Sequence, residues 1–378
     1  MQPKREREPS EAIMLTAYDD YPLHQAPWPI DRVATSDRNF YDRYYFNVHD
    51  TGCQAFLALG LGVYPNLGVM DAFACGVRGS RHHIVRASRA LAGDRHATVV
   101  GPIRVDVIEG LRRLRIACDA PERPLSFDIT FEAWSDAYEE PHFLYRNPLG
   151  RTVMDYTRLT QLGTPTGWMR IGDEKFAVGG EGWRSARDRS WGIRPVGDSE
   201  PDGALVDHPE RMQFFWNWSP VHLGDVGVLY TASEHADGRR WHQSGALLAR
   251  GGGARHAVGV DHDLRFEPGT RRFAGAEVVV DLGDERMTLQ YTPRLRFLMP
   301  AIGYRGPWAH GQYQGSLKVQ DDIWDADDPE TAIVHGWLTE TLCDVRAGSR
   351  CGQGIFEMAV IGPHAKYGFE DVFDGWKG

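Results

Sequence analysis

Alternation of apolar and polar residues at every second position constrains this chain more than any other feature. In Leu125-Ser126-Phe127-Asp128-Ile129-Thr130-Phe131-Glu132-Ala133-Trp134 the odd positions are apolar and nearly all the even ones polar. Ile103, Val105 and Val107 repeat the pattern, as do Leu114, Ile116 and Cys118. Successive side chains of a strand point to opposite faces, so such runs predict half-buried strands with one wet face. Glu277 to Asp281 and Met287 to Tyr291 flank Leu282-Gly283-Asp284-Glu285, a hairpin signal. A second hairpin is predicted from Val226 to Ser233, turning near Asp237-Gly238 and returning through Trp241 to Ala249. With 42 Gly and 22 Pro, turns are frequent. Helical periodicity is confined to Ser80–Ala92 and Pro329–Leu338. Many short antiparallel strands at regular spacing predict an all-β chain of barrels or sandwiches.

At 378 residues the chain suits two domains of about 190 each. Tyr156 precedes Gly167-Trp168-Met169-Arg170-Ile171 by the same interval that separates Tyr304 from Gly315-Ser316-Leu317-Lys318-Val319, after connections containing Pro148 and Pro300. This echo is compatible with a duplicated barrel and equally with chance. The net charge of −10 and the lack of any basic run argue against nucleic acid. Met1 to Glu11 is charged and lacks the apolar core of a signal peptide, and no run approaches the ~18–20 apolar residues of a spanning helix. The five cysteines (Cys53, Cys75, Cys118, Cys343, Cys351) are odd in number and scattered, and read as reduced thiols in a cytoplasmic protein.

Gly180 to Pro195 packs four arginines, two carboxylates and two tryptophans into 16 residues. Each tryptophan needs roughly 150–250 Å² of cover, and arginine beside aspartate and indole forms ion pairs and stacks. The segment reads as a polar hinge at a domain junction, a favoured place for a ligand.

Asp188-Arg189-Ser190-Trp191-Gly192, set between two strand-rich halves, resembles the junction of the two-domain lipocalin-like (calycin) family of carotenoid 1,2-hydratase-like proteins. Tyr44-Tyr45-Phe46-Asn47-Val48-His49-Asp50, Leu61-Gly62-Val63-Tyr64-Pro65-Asn66, Val153-Met154-Asp155-Tyr156 and Gly354-Ile355-Phe356-Glu357 are similar to its uncharacterised actinobacterial branch. The resemblance covers roughly residues 30–365. It implies two lipocalin-like antiparallel β-barrels in tandem: an extension over 1–29, a barrel over 30–180, a junction over 181–196, a second barrel over 197–368 and a tail over 369–378. Members of that fold, lipocalin-like pericyclases among them, bind isoprenoid or polyketide-like molecules, and some hydrate or cyclise them.

The site residues rest on physical reasoning. Arg187 and Asp188 read first as a structural pair tying the junction together. As an acid, Asp188 would suffer from the three arginines around it in sequence, which should lower its pKa, so it is expected to orient rather than donate. Trp183, Trp191, Trp216 and Trp218 form an aromatic group, with Trp216 and Trp218 on one strand face and Asn217 on the other. They are either barrel core or a stacking wall able to stabilise a cation. Tyr45, Asn47 and His49 share a strand face, followed by Asp50; a polar row there faces water or a ligand cavity. Tyr64, Asp71 and Tyr304 are comparable polar groups among apolar ones, and Asp155-Tyr156 could relay a proton as a buried acid–phenol pair. Asp155, Tyr156, His49 and Asp50 are thus the catalytic candidates. Tyr45, Tyr64, Trp183, Arg187, Asp188, Trp191, Trp216, Trp218 and Tyr304 are the ligand-binding ones.

Metal is not expected. His82 and His83 are adjacent and point to opposite faces of a strand, and the 15 histidines include no His-x-His or His-Glu-x-x-His. The acidic run Asp321 to Glu330 lacks EF-hand spacing and reads as a solvated loop. Arg250-Gly251-Gly252-Gly253-Ala254-Arg255 lacks the P-loop and Rossmann patterns and reads as a turn. No Gly-x-Ser-x-Gly elbow is present. The expectation is cofactor-independent proton-transfer chemistry (hydration, isomerisation or cyclisation) on an apolar isoprenoid- or steroid-like molecule. The alternative is a non-catalytic carrier of such a ligand, with a surface adaptor as a third class. The oligomeric state is open, a homodimer being among the options.

Overall fold

The computed structural model describes residues 15–23, 27–147, 149–200, 213–304 and 306–377. Residues 1–11 and Pro148, used above, lie outside them. The first sheet contains β1 (Phe40–Asp50), β2 (Ala55–Tyr64), β3 (Val69–Arg78), β4 (Arg81–Ala90), β5 (Val99–Val100), β6 (Ile103–Glu109), β7 (Arg113–Cys118), β8 (Leu125–Ala133), β9 (Tyr138–Glu139), β10 (Phe143–Arg146), β11 (Thr152–Ile171), β12 (Glu174–Val178) and β13 (Trp183–Ile193). The second contains β14 (Phe214–Leu223), β15 (Val226–Glu234), β16 (Arg240–Ala249), β17 (Ala254–His256), β18 (Gly259–Phe266), β19 (Phe273–Asp281) and β20 (Arg286–Leu298). Then β21 (Leu317–Asp325) returns to the first sheet, α1 (Pro329–His335) follows, and β22 (Leu338–Ala347) and β23 (Arg350–Ile361) complete the second.

The first sheet runs β21-β4-β3-β2-β1-β13-β11-β8-β7-β6-β5, with β9, β10 and β12 on β11. The second runs β17-β16-β15-β14-β23-β22-β20-β19-β18. All pairings are antiparallel. Together the sheets make one nearly closed barrel and one half-barrel in tandem, the all-β class expected.

Both predicted hairpins form, as β15–β16 and β19–β20, and α1 occupies Pro329–His335. The helix expected over Ser80–Ala92 is instead β4, paired on one side with β3 and on the other with β21. Both faces of β4 carry buried residues, so its sequence lacks clean alternation, and strand pairing overrides local propensity. The acidic run is likewise partly ordered: Asp321 and Asp322 lie on β21, paired with Arg123 and Arg86, and Asp328 caps α1 through the Thr331 amide. The echo dissolves, because Tyr156 and Gly167 share one continuous strand while Tyr304 and Gly315 sit in the connection before β21.

Strand alternation builds three packed layers. Tyr44, Phe46 and Val48 of β1 point into the first barrel with Leu57, Leu59, Phe127, Ile129 and Phe131. Tyr230, Val278, Leu289 and Phe356 fill the second. Between them, Tyr41 and Tyr45 of β1 meet Trp216, Trp218, Phe297 and Leu342 of the second sheet. Phe56 and Phe297 touch across this seam with ring centroids 5.2 Å apart. Burying each such side chain contributes roughly 1.5–3 kcal/mol, so the seam is a hydrophobic core in its own right. It also positions the site.

Candidate functional site

A cavity of about 760 Å³ opens at this seam. The same alternation decides its walls. The odd residues of β1 and the even ones of β11, β13 and β14 face it: Arg43 and Tyr45, Tyr156 and Arg158, Asp188 and Ser190, Phe214 and Trp216. The second sheet adds Glu357 from β23 and Leu338 at the start of β22, next to Trp337. The connection after β20 adds Tyr304 and His310, and Arg194 follows β13.

Two glutamates form the acidic pole. Glu340 and Glu357 are direct partners across β22 and β23, with side chains from the seam closing over them; their relative exposures are 0% and 9%. The Trp216 indole Nε1 donates to Glu357 Oε1 at 2.8 Å, and the Tyr45 hydroxyl donates to Glu340 Oε2 at 2.5 Å. Glu340 Oε1 has no hydrogen-bond partner. Burial pushes Glu357 up to about 7, and burial together with the Glu357 charge holds Glu340 well above the usual carboxylate range. Two carboxylates this close in a dry site resist ionising together, so the pair retains a proton near neutrality.

Asp188 faces the same space from β13. The arginines beside it in sequence, Arg187 and Arg189, sit on the other strand face, where they form buried ion pairs with Asp20 and Asp42 inside the first barrel. The guanidiniums that Asp188 does feel are Arg158, Arg43 and Arg194, and burial outweighs them, so its pKa is raised. This corrects the expectation of a lowered value. Sequence neighbours on a strand are not spatial neighbours.

The cationic side is layered. Arg158 is committed to Glu140, donating from Nε to Oε1 at 2.9 Å and from Nη2 to Oε2 at 2.7 Å, and lies over the rings of Phe143, Trp216 and Trp218. Burial alone would raise the pKa of Glu140, but Arg158 and Thr160 hold it below the usual value, ionised. Arg43 Nη1 donates to His310 Nδ1 at 2.6 Å, and His310 Nε2 reaches the Ile302 carbonyl at 2.7 Å. Those partners assign the proton to Nε2. Burial, then Arg43 and Arg194, keeps His310 neutral. Gly60 on β2 makes room: a Cβ there would collide with the Arg43 guanidinium.

Of the residues singled out from sequence, Tyr45, Tyr156, Asp188, Trp216 and Tyr304 line the cavity. Trp218 stands behind them, edge-on to Tyr45 at 5.9 Å between centroids. The others are elsewhere. Asp155 and Tyr156 do not form a buried pair: Tyr156 stacks on Phe143 inside, whereas Asp155 turns outward to His142 Nε2 at 2.6 Å, half exposed. Asp50 accepts the Gln54 and Ala55 amides, both at 2.7 Å, and so shapes the β1–β2 turn. His49 is buried near His222 and pushed down to about 4, chiefly by burial. Tyr64 donates to Asp71 at 3.1 Å behind the cavity wall. Trp183 belongs to the first-barrel core beside Phe176, and Trp191 lies near Arg189. The stretch read as a hinge is β13, a central strand between β1 and β11.

Sequence reasoning missed Glu340, Glu357, Arg43, Arg194 and His310. One signal was available. Gly60 alternates with leucines in Leu59-Gly60-Leu61, and a glycine inside a strand marks close approach by a large group, here Arg43.

The two tandem antiparallel barrels with a seam cavity define a fold class shared with solved structures. A candidate AttH from Nitrosomonas europaea aligns over 86% of this chain and 94% of its own, with TM-score 0.53 and 12% identity. Kievitone hydratase from Nectria haematococca aligns over 89% and 94%, with TM-score 0.50 and 9% identity. CghA aligns over 91% and 96%, with TM-score 0.50 and 11% identity. At such identities the likeness is one of fold. The chain itself belongs to a family described as a family of unknown function (DUF8625), whose profile matches residues 15–370. No curated protein matches it. Among the described residues no helix is long and apolar enough to cross a membrane, and no cluster of His, Cys, Asp or Glu could hold a metal ion.

Proposed function

We propose that this protein is a cofactor-independent enzyme that hydrates, isomerises or cyclises an apolar small molecule, isoprenoid- or steroid-like in character, by proton transfer in the seam cavity. The observation that carries the proposal is Glu357, a carboxyl at the cavity wall whose pKa of about 7 keeps it partly protonated at neutral pH. A general acid works best with a pKa near the working pH. Glu357 gives its proton to a substrate double bond, and positive charge develops on the adjacent carbon. The faces of Tyr45, Trp216 and Tyr304 stabilise that charge. In hydration, water adds to the cation and its proton passes to Asp188; in isomerisation, Asp188 removes a neighbouring proton. Glu340, kept neutral by burial and by the Glu357 charge, holds the second proton of the pair. The kinship of fold with a hydratase supports this reading at the level of architecture.

The test is incubation with terpenoids, carotenoid precursors and steroids in ¹⁸O-labelled water, followed by mass spectrometry. A product heavier by one labelled water identifies hydration. A product of unchanged mass and altered retention time identifies isomerisation or cyclisation. Either must vanish in Glu357→Gln. Ligand retained but recovered unaltered from the wild type overturns catalysis and leaves a carrier.

A further inference from the structure

The cavity carries more unmatched donors than an apolar ligand can use. Arg43 and Arg194 both line it, and among the described residues neither forms an ion pair. Arg43 spends its side-chain hydrogen bonds on a neutral histidine and a carbonyl, His310 Nδ1 at 2.6 Å and Ile302 O at 3.4 Å. Arg194 Nη2 approaches the same His310 nitrogen at 3.4 Å. By contrast, Arg158 has Glu140 in bidentate contact, and Arg187 and Arg189 have Asp20 and Asp42. The fold therefore neutralises its other three buried arginines of this region and leaves these two open to the ligand space.

Their surroundings are flat and aromatic. Arg43 lies 5.3 Å from the Tyr304 ring centroid, and Arg194 lies 4.7 Å from that of Tyr41 and 5.9 Å from that of Tyr304. Stacking of this kind fixes the planes of the two guanidiniums, whose fork geometry suits a delocalised pair of oxygens. The Trp337 indole N–H, also at the cavity, has no hydrogen-bond partner. A buried cation without a counterion is costly, so a site holding the buried Arg43 and the half-buried Arg194 favours a ligand that brings negative charge.

We infer that Arg43 and Arg194 form an oxyanion anchor, and that the molecule bound at the seam is a conjugated, largely apolar body carrying one delocalised acidic group, a carboxylate or an enolate. This deepens the proposed function and rests on the seam cavity being the binding site. The acidic group docks beside His310 and Tyr304, and the apolar body extends along Tyr45 and Trp216 toward Glu357. The carboxyls that feel the anchor guanidiniums, Asp71, Asp188 and Glu357, are all raised by burial, and none of them forms an ion pair with Arg43 or Arg194.

Calorimetric titration of the whole chain with 2-naphthoate and with methyl 2-naphthoate separates the possibilities. The two probes share one ring system and differ in charge. The acid is expected to bind the wild type at least about tenfold more tightly than the ester. That preference should fall to about twofold or less in the Arg43→Gln/Arg194→Gln double variant. Equal binding of acid and ester to the wild type overturns the anchor, as does a preference that survives in the double variant; the seam cavity then stands as a site for neutral ligands. If neither probe binds, the anchor falls together with the cavity as the site. The wild-type comparison needs no variant to fold.

Discussion

Glu357 shows how one side chain acquires chemistry from its neighbours. In water it would be ionised at pH 7; burial, with the Asp188 charge adding to it, raises it to about 7. Glu357→Gln keeps the shape and the Trp216 contact but cannot donate to carbon. Turnover should drop by about 10²-fold or more, with ligand affinity nearly intact. Stability should move the other way. A carboxyl whose pKa is raised on folding contributes stability that is present below its unfolded pKa near 4.3 and lost as pH rises through 7. Glu357→Gln should therefore be more stable than the wild type at pH 8, on the order of 2–4 kcal/mol, and about equal to it at pH 4; urea titrations at both pH values check this. Asp71 follows the same logic, raised to about 7 by burial while accepting the Gly311 amide at 2.7 Å. At Gly60, alanine would displace the Arg43 guanidinium. Gly60→Ala should cost about 1–3 kcal/mol and weaken ligand binding, which thermal melts and calorimetry would separate.

Among the elements, β13 links the most. Its odd residues Arg187 and Arg189 serve the first barrel, and its even residues Asp188 and Ser190 serve the cavity. The inner side depends on a short turn near the start of the described chain, Ala17–Asp20, whose last residue is fully buried. Asp20 Oδ1 and Oδ2 accept from Arg187 at 2.5 and 3.0 Å, and its carbonyl accepts from the Tyr44 hydroxyl. Removing one member of a buried pair strands the other charge, so Asp20→Asn should destabilise the fold by about 3–5 kcal/mol. Arg187→Met alone should be as harmful, and the double substitution milder than the sum. A denaturation double-mutant cycle reads the coupling directly. The strand β21 does comparable work across the chain, bringing residues 317–325 back to the first sheet through β4.

Across the whole molecule, buried histidines set the response to acid. His49, His82 and His242 are pushed down to about 4 and His222 and His262 to about 3, in every case chiefly by burial. A histidine depressed on folding contributes stability that is full above 6.5 and lost as pH falls toward 4. His83 and His310 are lowered as well, and the raised carboxyls Asp71, Glu139, Asp188, Glu340 and Glu357 act oppositely but are fewer than these seven histidines. Unfolding at pH 5 should therefore take up roughly two or more protons net, and the melting temperature should fall between pH 6.5 and 4. Calorimetry in buffers of different ionisation enthalpy measures that uptake, and a release of protons would contradict the burial pattern.

The period-2 pattern by itself determined the class of fold, both hairpins and the pairing of Trp216 with Trp218 on one face, because side-chain direction on a strand is a local property. It also grouped Tyr45 with Asn47 and His49 on one face, left open to water or a cavity, and the tertiary structure turns Tyr45 and Tyr156 to the cavity. What remained to the tertiary structure was which strands lie side by side. Glu340 and Glu357 are 17 positions apart and acquire their shared proton only when β22 pairs with β23 under the seam. Arg43 and His310 meet across 267 residues. β4 is a strand because β3 and β21 flank it, against its local periodicity. Local sequence fixes where a side chain points, but desolvation and charge pairing depend on everything that closes around it, and these decide which carboxyl holds a proton.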